Sequence, residues 1–234
     1  MASYLVIIPA FNEETTVGAA IEGIKGQISF ADILVVNDGS TDETARVAAS
    51  EGIFLVNHPF NLGYGAALQT GFRFAERGGY EYVFTMDADG QHLPTSLNSL
   101  ITAMEERHAD IVIGSRFVGS GYDVGFPRRT GMMLFSLIAR MYTGIDITDP
   151  TSGFQLLNRR VFSCLASGDN YPFDYPDVNI IMMLHKKGFK ITEAPVTMVE
   201  NSSGKSMHAG LKPVYYVIKM FLAIVMVLLR RTSR

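Results

Sequence analysis

The strongest constraint on the fold is a regular alternation of short apolar runs with longer amphipathic stretches. The strand-like runs are Tyr4–Ile8, Ile33–Val36, Phe54–Val56, Tyr82–Met86 and Ile111–Ile113. The helical patterns between them are Thr15–Lys25, Asp42–Ser50, Ala66–Arg77 and Thr95–Glu106. Continuous apolar strands joined by crossover helices are typical of a parallel sheet that is covered on both faces. The alternation predicts an α/β domain with a mostly parallel central sheet flanked by helices.

The regular pattern holds for about the first half of the chain and then loosens. We expect one domain over residues 1–210, with a regular part at 1–115 and a looser part at 116–210, followed by a separate apolar segment at 211–234. The looser part contains an apolar helix-like run at Met132–Tyr142. It ends with a strand candidate at Lys190–Val196, where Pro195 predicts an edge strand or the end of a strand.

Composition excludes several classes of function. The formal net charge of -3 provides no basic field for nucleic acid, so we expect no nucleic-acid partner. The one cysteine, Cys164, lies in an apolar context and is predicted to be buried and inert, which excludes an internal disulfide or a thiolate metal site. The first residues lack the basic region of a secretion signal.

Three polar segments follow predicted strands directly. They are Ala10–Glu14, Asn37–Asp42 and Asp87–His92. Ligands of open α/β sheets bind at the carboxyl ends of the strands, so we expect these segments to line one crevice.

The segment Asp87-Ala88-Asp89-Gly90-Gln91 carries the most specific chemistry. Two carboxylates one residue apart after a buried strand, with the Gln91 amide, are oxygen ligands suited to Mg²⁺ or Mn²⁺. Such an ion completes its octahedron with substrate phosphates and stabilises charge on a departing diphosphate. The alternative is a solvated turn whose aspartates cap helices.

The other two polar segments allow a structural and a functional interpretation. Ser40 or Thr41 is predicted to cap the helix from Asp42, while the Asp38 carboxylate is placed to accept hydrogen bonds from a base or a ribose hydroxyl. Glu13 is either a ligand in the crevice or an acid in the first helical turn that complements the helix dipole.

The glycines of Asn61-Leu62-Gly63-Tyr64-Gly65 do not form a dinucleotide fingerprint, because Leu68 occupies the third glycine position. We expect them, Gly65 included, to let the helix start approach a nucleotide closely. The chain lacks a Gly-x-Ser-x-Gly elbow and a phosphate-binding P-loop, and none of its five histidines is assigned to catalysis.

Taken together and in order, these motifs resemble those of the family-2 inverting glycosyltransferases. The likeness is greatest to the dolichyl-phosphate mannose synthase-like and bacterial polyprenyl-phosphate glycosyltransferase branch. The segments that carry it are Ile8–Glu14, Val35–Thr44, Asn61–Gly63, Met86–His92, Gly114–Phe117, Asp149–Phe154 and Glu193–Val196.

The resemblance implies a GT-A type nucleotide-diphospho-sugar transferase fold and assigns roles to particular residues. The residues implied for the nucleoside and its sugar are Pro9, Ala10, Asn12, Glu13 and Asp38. Asp87, Asp89 and Gln91 would take the metal and the diphosphate, and Arg116 would face the sugar or phosphate. On this basis residues 1–115 bind the nucleotide sugar and 116–210 form the acceptor half.

The acceptor side departs from the family pattern. Synthases of the dolichyl-phosphate type carry an arginine before a Gly-x-Ser-Lys segment, whereas this chain reads Glu200-Asn201-Ser202-Ser203-Gly204-Lys205-Ser206-Met207. Lys205, Arg128 and Arg129 are candidates for the acceptor phosphate contact, or they are solvated surface residues.

The acceptor class depends on whether a base is needed. A polyprenyl phosphate oxygen is already anionic and needs none, whereas a saccharide hydroxyl needs a carboxylate. Asp177 is the candidate base, with a helix N-cap as its alternative role. Our main hypothesis is transfer of a sugar to a polyprenyl phosphate or lipid-linked acceptor, and the alternative is a hydroxyl in a cell-envelope polysaccharide.

Two further functions remain open at this point. A sugar-1-phosphate nucleotidyltransferase has a related sheet, but it needs a Gly-rich basic loop where this chain has Pro9–Glu14. A non-catalytic, membrane-bound scaffold is the other, and the intact set of acidic residues argues against it.

The C-terminal segment is unusually apolar. Pro213–Leu229 is interrupted only by Lys219 and is followed by Arg230, Arg231 and Arg234. As a helix of about 25 Å, at roughly 1.5 Å per residue, it is slightly short for a bilayer. We expect it to lie at the cytoplasmic face of a membrane with its cations near anionic headgroups, and the alternative is a helix in a homo-oligomer interface.

Overall fold

The computed structural model describes residues 2–118, 126–167, 171–172 and 176–198, together with 222, 224 and 226. The strands are β1 (Tyr4–Ala10), β2 (Ala31–Asn37), β3 (Phe54–Asn57), β4 (Tyr82–Thr85), β5 (Ile111–Ser115), β6 (Gln155–Asn158) and β7 (Ile191–Pro195). The helices are α1 (Val17–Gln27), α2 (Thr44–Ser50), α3 (Tyr64–Gly78), α4 (Leu97–Glu106), α5 (Phe126–Thr143), α6 (Arg159–Ala166) and α7 (Val178–Lys186). A short 3₁₀ turn at Pro94–Ser96 precedes α4.

The seven strands form one sheet in the order β3-β2-β1-β4-β6-β5-β7. Strand β6 runs antiparallel to both of its neighbours, β4 and β5, and every other pairing is parallel. The predicted mostly parallel sheet is therefore confirmed. β7 lies at one edge of the sheet and ends at Pro195, as its proline predicts.

Strand β1 shows why the strands read as continuous apolar runs. Leu5 and Ile7 pack on one face of the sheet, and Val6 and Ile8 pack on the other. The first face is covered by α3, α6 and α7, which contribute Phe72, Phe162, Leu184 and their neighbours. The second face is covered by α1 and α4, which contribute Ile21, Ile24, Leu97 and Leu100. Because both faces are buried, no polar alternation survives in the central strands.

Strand β6 and helix α6 have no counterpart among the predicted elements. Only Leu156 and Leu157 are apolar in β6, and two apolar residues are too short a run to indicate a strand. Helix α6 begins where Asn158 accepts a hydrogen bond from the Val161 N–H at 3.1 Å, which is an N-cap. Cys164 in α6 is free but only partly buried, so the prediction of a buried thiol was wrong.

The predicted capping by Ser40 or Thr41 was also wrong. Helix α2 begins at Thr44, its N-cap residue Glu43 makes no side-chain capping hydrogen bond, and the Thr44 N–H donates to Asp42 Oδ1 at 3.0 Å. Instead the Ser40 hydroxyl accepts the Asn12 N–H at 3.0 Å, and the Thr41 N–H donates to the Asn12 side-chain oxygen at 2.8 Å. The Ser40 hydroxyl and the Thr41 N–H thus join the loop after β2 to the loop after β1, and the bond from Asn12 competes with capping by the Ser40 oxygen.

Several expectations fall partly or wholly outside the described residues. Lys205 and nearly all of 211–234 lie outside them, and α5 contains Arg128 and Arg129, whose side chains are not described. Of the C-terminal segment, 222, 224 and 226 are helical, and Ile224 packs against Phe135, Ala139, Val178 and Met182. Among the described residues, no helix has the length and apolarity needed to cross a membrane.

The packing of α3 on β1 yields a stability prediction. A Cβ at Gly71 would lie 2.5 Å from the Ile7 side chain, whereas a Cβ at the exposed Gly26 of α1 would meet nothing within 4 Å. We expect Gly71→Ala to lower the free energy of unfolding by about 1–3 kcal/mol, because the buried helix must move. Gly26→Ala should raise it by about 0.5–1 kcal/mol through reduced backbone entropy of the unfolded chain. Urea unfolding of both variants checks the pair, and equal midpoints would contradict the close packing.

Candidate active site

The three polar segments meet at the carboxyl ends of β1, β2 and β4, as predicted. The loops after β1 and β2 are joined by hydrogen bonds, including the Glu13 N–H to the Thr44 hydroxyl at 2.8 Å and the Asp38 N–H to the Ala10 carbonyl at 2.8 Å. The Met86 N–H donates to the Ile7 carbonyl at 3.1 Å, which holds the end of β4 beside β1. Parallel strands thus bring segments far apart in sequence to one crevice.

The Asp87–Gln91 segment is a tight turn. Gly90 has a φ of +74°, and the Gln91 N–H donates to Asp89 Oδ1 at 3.0 Å, which closes an Asx turn. The intervening Ala88 is buried. This geometry leaves the Asp87 and Asp89 side chains only partly buried, so both carboxylates are accessible from the crevice.

His92 supports this turn from below. Its ring is buried and stacks on Phe154 with centroids 5.0 Å apart, and its Nδ1 accepts the Asp87 N–H at 3.2 Å. Burial lowers the His92 pKa to about 4. The neutral ring with its proton on Nε2 is the tautomer that this hydrogen bond requires.

The crevice disfavours negative charge on its own carboxylates. Burial raises the pKa of Asp87, and burial followed by the Asp87 charge raises that of Asp89. The pKa of Glu13 is raised by burial and then by the charges of Asp89, Asp42 and Asp87. Carboxylates that repel one another across a crevice are stabilised by a bound cation.

The crevice offers few possible metal ligands. Among the described residues, no group of three or more acidic, His or Cys side chains surrounds a common point. Asp87 and Asp89 therefore offer two carboxylates rather than a closed cage. This is the pattern of a hard divalent ion that takes its other ligands from phosphates and water.

The Asp87 carboxylate is contacted from two sides. The Tyr64 hydroxyl at the start of α3 donates to Asp87 Oδ1 at 2.9 Å. A Cβ at Gly153 would lie 3.2 Å from both Asp87 oxygens and 2.6 Å from the Tyr64 hydroxyl. The Gly153 carbonyl accepts the Thr85 hydroxyl at 2.7 Å, which holds this glycine beside the end of β4.

Asp38 is buried and holds the loop after β3. Its Oδ1 accepts the Leu62 N–H at 2.9 Å and lies 2.6 Å from His58 Nδ1, and its Oδ2 accepts the Gly63 N–H at 2.8 Å. The His58 Nε2 in turn lies 2.9 Å from the Thr70 hydroxyl. A carboxylate has about four acceptor positions, and these contacts fill three of them.

Arg116 lies beneath the crevice in an ion pair. Its Nε and Nη2 donate to the two oxygens of Asp149 at 2.6 and 2.7 Å, and both residues are buried. The Glu193 carboxylate accepts the N–H groups of Thr148 and Asp149 at 2.8 Å each. Burial raises the Glu193 pKa, and the positive charge of Arg116 counteracts the rise in the Asp87 pKa.

Asp177 occupies the N-cap position of α7, as its alternative role predicts, although its side chain makes no capping hydrogen bond. Its charge contributes to the raised pKa of Tyr64, after burial and Asp87, which places it in electrostatic range of the crevice. Glu13 is not a first-turn acid, because α1 begins at Val17. Pro9, Ala10 and Gly65 are buried around the same strand ends.

Five residues outside the predicted set support the site: His58, Tyr64, His92, Asp149 and Glu193. The first four each form a hydrogen bond with a predicted site residue, and Glu193 acts through Asp149. Such contacts leave no periodic pattern. Asp149 and Glu193 lie within the motifs quoted above. Their contacts with Arg116 and Thr148 join positions that are distant in sequence and become neighbours only in the folded chain.

A sequence profile of glycosyl transferase family 2 matches residues 5–166. Two relatives, each 31% identical, are the undecaprenyl-phosphate mannosyltransferase of Micrococcus luteus and the polyprenol monophosphomannose synthase of Mycolicibacterium smegmatis. The first alignment covers 88% of this chain and 87% of the relative, and the second covers 88% and 81%.

Among solved structures, the chain is similar to glucosyl-3-phosphoglycerate synthase from Mycobacterium tuberculosis in complex with Mn²⁺, uridine diphosphate and phosphoglyceric acid. The TM-score is 0.72 at 17% identity, over 99% of this chain and 80% of that one. The expected GT-A type fold is confirmed. The chain belongs to glycosyl transferase family 2 and is a glycosyltransferase, as its motifs predict.

Proposed function

We propose that this chain is a metal-dependent, inverting glycosyltransferase that moves a sugar from a nucleotide-diphosphate donor to a polyprenyl phosphate. The observation that carries the proposal is the pair Asp87 and Asp89. Burial raises the pKa of both carboxyl groups in a crevice where three parallel strands end, and the Asp87 charge raises the pKa of Asp89 further. The names of the two 31% identical relatives supply the acceptor class.

The donor side follows from the strand ends. In this proposal Pro9, Ala10, Asn12, Glu13 and Asp38 surround the nucleoside, with Gly65 where the helix start approaches the phosphates. The remaining acceptor position of Asp38 takes a ribose hydroxyl or a base N–H. Residues 1–115 then form the donor half and 116–210 the acceptor half of one domain.

The residues fit a divalent cation. Two accessible carboxylates, Asp87 and Asp89, with the Gln91 amide, are hard oxygen donors of the kind that Mg²⁺ and Mn²⁺ take. A bound ion would neutralise the diphosphate as it departs. The structurally similar synthase contains Mn²⁺ with uridine diphosphate, which supports the same role here.

In the proposed mechanism, the protein positions an in-line attack at the anomeric carbon and inverts its configuration. The acceptor phosphate is anionic and needs no proton removed. Arg116 reaches the reaction through its charge, since its guanidinium is already paired with Asp149. Arg128, Arg129 and Lys205 remain our candidates for direct contact with the acceptor phosphate.

We further propose that α5 lies against the cytoplasmic surface of a membrane. Met133, Leu137 and Met141 are four residues apart on α5 and are 62%, 54% and 79% exposed. Leu222 and Met226 are also exposed, one turn apart on the apolar C-terminal segment, while Ile224 packs on α5 and α7. Adjacent apolar faces of this kind suit a lipid surface that contains the acceptor.

The metal site generates the first functional prediction. We expect Asp89→Asn to lower sugar transfer by at least about a hundredfold, since losing even an outer partner of a metal ligand costs about 10- to 100-fold. The sugar donor is first chosen as the UDP-, GDP- or dTDP-sugar that most stabilises the wild-type protein against unfolding. The rate of sugar transfer from this donor to undecaprenyl phosphate is then measured with Mn²⁺. Asp146→Asn, at an exposed surface aspartate, is the matched control and should retain activity.

The stability of the same variant without metal shows whether the fold is intact. Because the Asp89 pKa is raised on folding, ionisation of this group penalises the folded state above its unfolded pKa of about 3.9. Asp89→Asn should therefore be more stable than the wild type in chelator at neutral pH, and the advantage should vanish below about pH 4. Full transfer activity in Asp89→Asn would overturn the metal role.

Asp177 distinguishes the two acceptor classes. If the acceptor is a phosphate, Asp177→Asn should keep transfer to undecaprenyl phosphate within a few-fold of the wild type, because no base is required. If the acceptor is a saccharide hydroxyl, loss of the base should cost about 10²- to 10⁴-fold on that substrate. Parallel rate measurements with the two acceptors decide between phosphate and hydroxyl.

The exposed apolar face of α5 also predicts binding to vesicles. Leu137→Asp with Met141→Asp should weaken co-sedimentation with anionic vesicles containing undecaprenyl phosphate by about tenfold or more, because each apolar side chain contributes roughly 1.5 kcal/mol when buried. Asn98→Asp with Thr102→Asp, at exposed positions of α4 with the same spacing, is the charge-matched control. Equal sedimentation of the two double variants would exclude α5 as the membrane contact.

A further inference from the structure

The Tyr64 hydroxyl contacts Asp87, one of the two proposed metal ligands. It donates to Asp87 Oδ1 at 2.9 Å, and burial followed by the Asp87 charge raises the Tyr64 pKa well above its usual range. The phenol therefore stays protonated and acts only as a donor to this carboxylate. Charge-assisted hydrogen bonds of this kind are short and directional.

The Asp87 carboxylate is restrained by a hydrogen bond from Tyr64 and lies close to Gly153. Tyr64 holds Oδ1, and a Cβ at Gly153 would already lie within 3.2 Å of both oxygens. The Asp87 N–H is held by His92 Nδ1. Backbone and side chain of Asp87 are thus fixed by two different residues.

Tyr64 is itself placed by the nucleoside side of the crevice. The two residues before it, Leu62 and Gly63, donate their N–H groups to the Asp38 carboxylate at 2.9 and 2.8 Å. Gly63 has a φ of +101°, a conformation that favours glycine and turns the chain into α3. A continuous path of contacts runs from Asp38 through Gly63 and Tyr64 to Asp87.

We propose that Tyr64 is a positioning residue that fixes the orientation in which Asp87 receives the metal and diphosphate, and that ties this orientation to the Asp38 pocket. The proposal rests on the proposed metal site at Asp87 and Asp89. Tyr64 acts through Asp87 and makes no step of the reaction itself.

Two effects of removing the hydroxyl have opposite signs, which makes the test decisive. A carboxylate that loses a hydrogen-bond donor becomes more basic and would bind a cation more tightly if its orientation did not matter. A carboxylate that loses its restraint binds more weakly, as happens when outer partners of metal ligands are removed. The direction of the change in Mn²⁺ affinity separates positioning from a merely electrostatic contact.

The experiment measures Mn²⁺ binding directly by the electron paramagnetic resonance of free Mn²⁺, alone and with UDP or GDP. We expect Tyr64→Phe to weaken Mn²⁺ binding by about 10- to 100-fold. In transfer assays the Mn²⁺ concentration for half-maximal activity should rise by a similar factor, while excess Mn²⁺ restores most of the maximal rate. Unchanged or tighter Mn²⁺ binding in Tyr64→Phe would overturn the proposal.

The chain provides a matched control in Tyr80. Its hydroxyl donates to Asp32 Oδ2 at 2.6 Å, and Asp32 lies at the opposite end of β2 from Asp38. Tyr80→Phe removes the same chemical contact away from the crevice, so its Mn²⁺ affinity should equal that of the wild type. An equal loss in both variants would mean that the effect is general destabilisation and would overturn the positioning role.

A second variant reaches the same contact from the loop before β6. Gly153→Ala places a Cβ 2.6 Å from the Tyr64 hydroxyl and 3.2 Å from the Asp87 oxygens, so it should also weaken Mn²⁺ binding. Wild-type binding separates the two proposals. If the wild type takes up no Mn²⁺ with either nucleotide, both the metal-dependent function and the role of Tyr64 are wrong. If the wild type binds Mn²⁺ and Tyr64→Phe binds it equally well, only the role of Tyr64 is wrong.

Discussion

The site depends on keeping two carboxylates charged where their surroundings oppose the charge. Burial raises the pKa of Asp87 and Asp89, and the Asp87 charge raises the pKa of Asp89 further. The nearby residues compensate in different ways: Tyr64 donates a hydrogen bond, Arg116 supplies a positive charge, and neutral His92 fixes the backbone. In the proposed metal site, this residual unfavourable energy favours a cation, since a bound ion would relieve it. The charged carboxylates lower the stability of the folded protein at this point, and cation binding would recover that energy.

Arg116 shows how far this compensation extends into the fold. Its guanidinium is held by Asp149, and the backbone at Thr148 and Asp149 is held in turn by Glu193 of β7. The edge strand of the sheet thereby supports a charge that acts on Asp87 at the end of β4. A buried pair that lost one partner would leave an uncompensated charge, so these residues depend on one another.

The parts of the fold that could be predicted are those with a periodic pattern. β1, with alternate residues on two buried faces, and α3, with its apolar stripe, follow from hydrophobic periodicity. β6 could not be found because two leucines make no pattern, and its reversed direction depends on tertiary pairing. For the site, Asp87 and Asp89 were marked by their spacing after a strand, whereas Tyr64 and His58 act through single contacts that only the folded chain creates. The capping prediction at Ser40 failed because Asn12, distant in sequence, competes for the same atoms.

The antiparallel β6 has a consequence for how such a chain changes over evolution. The chain leaves the sheet at the end of β5 (Ser115) and re-enters it at the start of β6 (Gln155), which pairs with β5. Residues 116–154 therefore form an excursion whose two ends are neighbours. The Arg116–Asp149 ion pair joins those ends directly. An insertion, deletion or substitution within residues 116–154 can change the side chains near the crevice. It leaves the order of the strands in the sheet and their pairing register unchanged. In the proposed division of the chain, the sheet is thus a platform whose strand order stays intact while the excursion beside it can change.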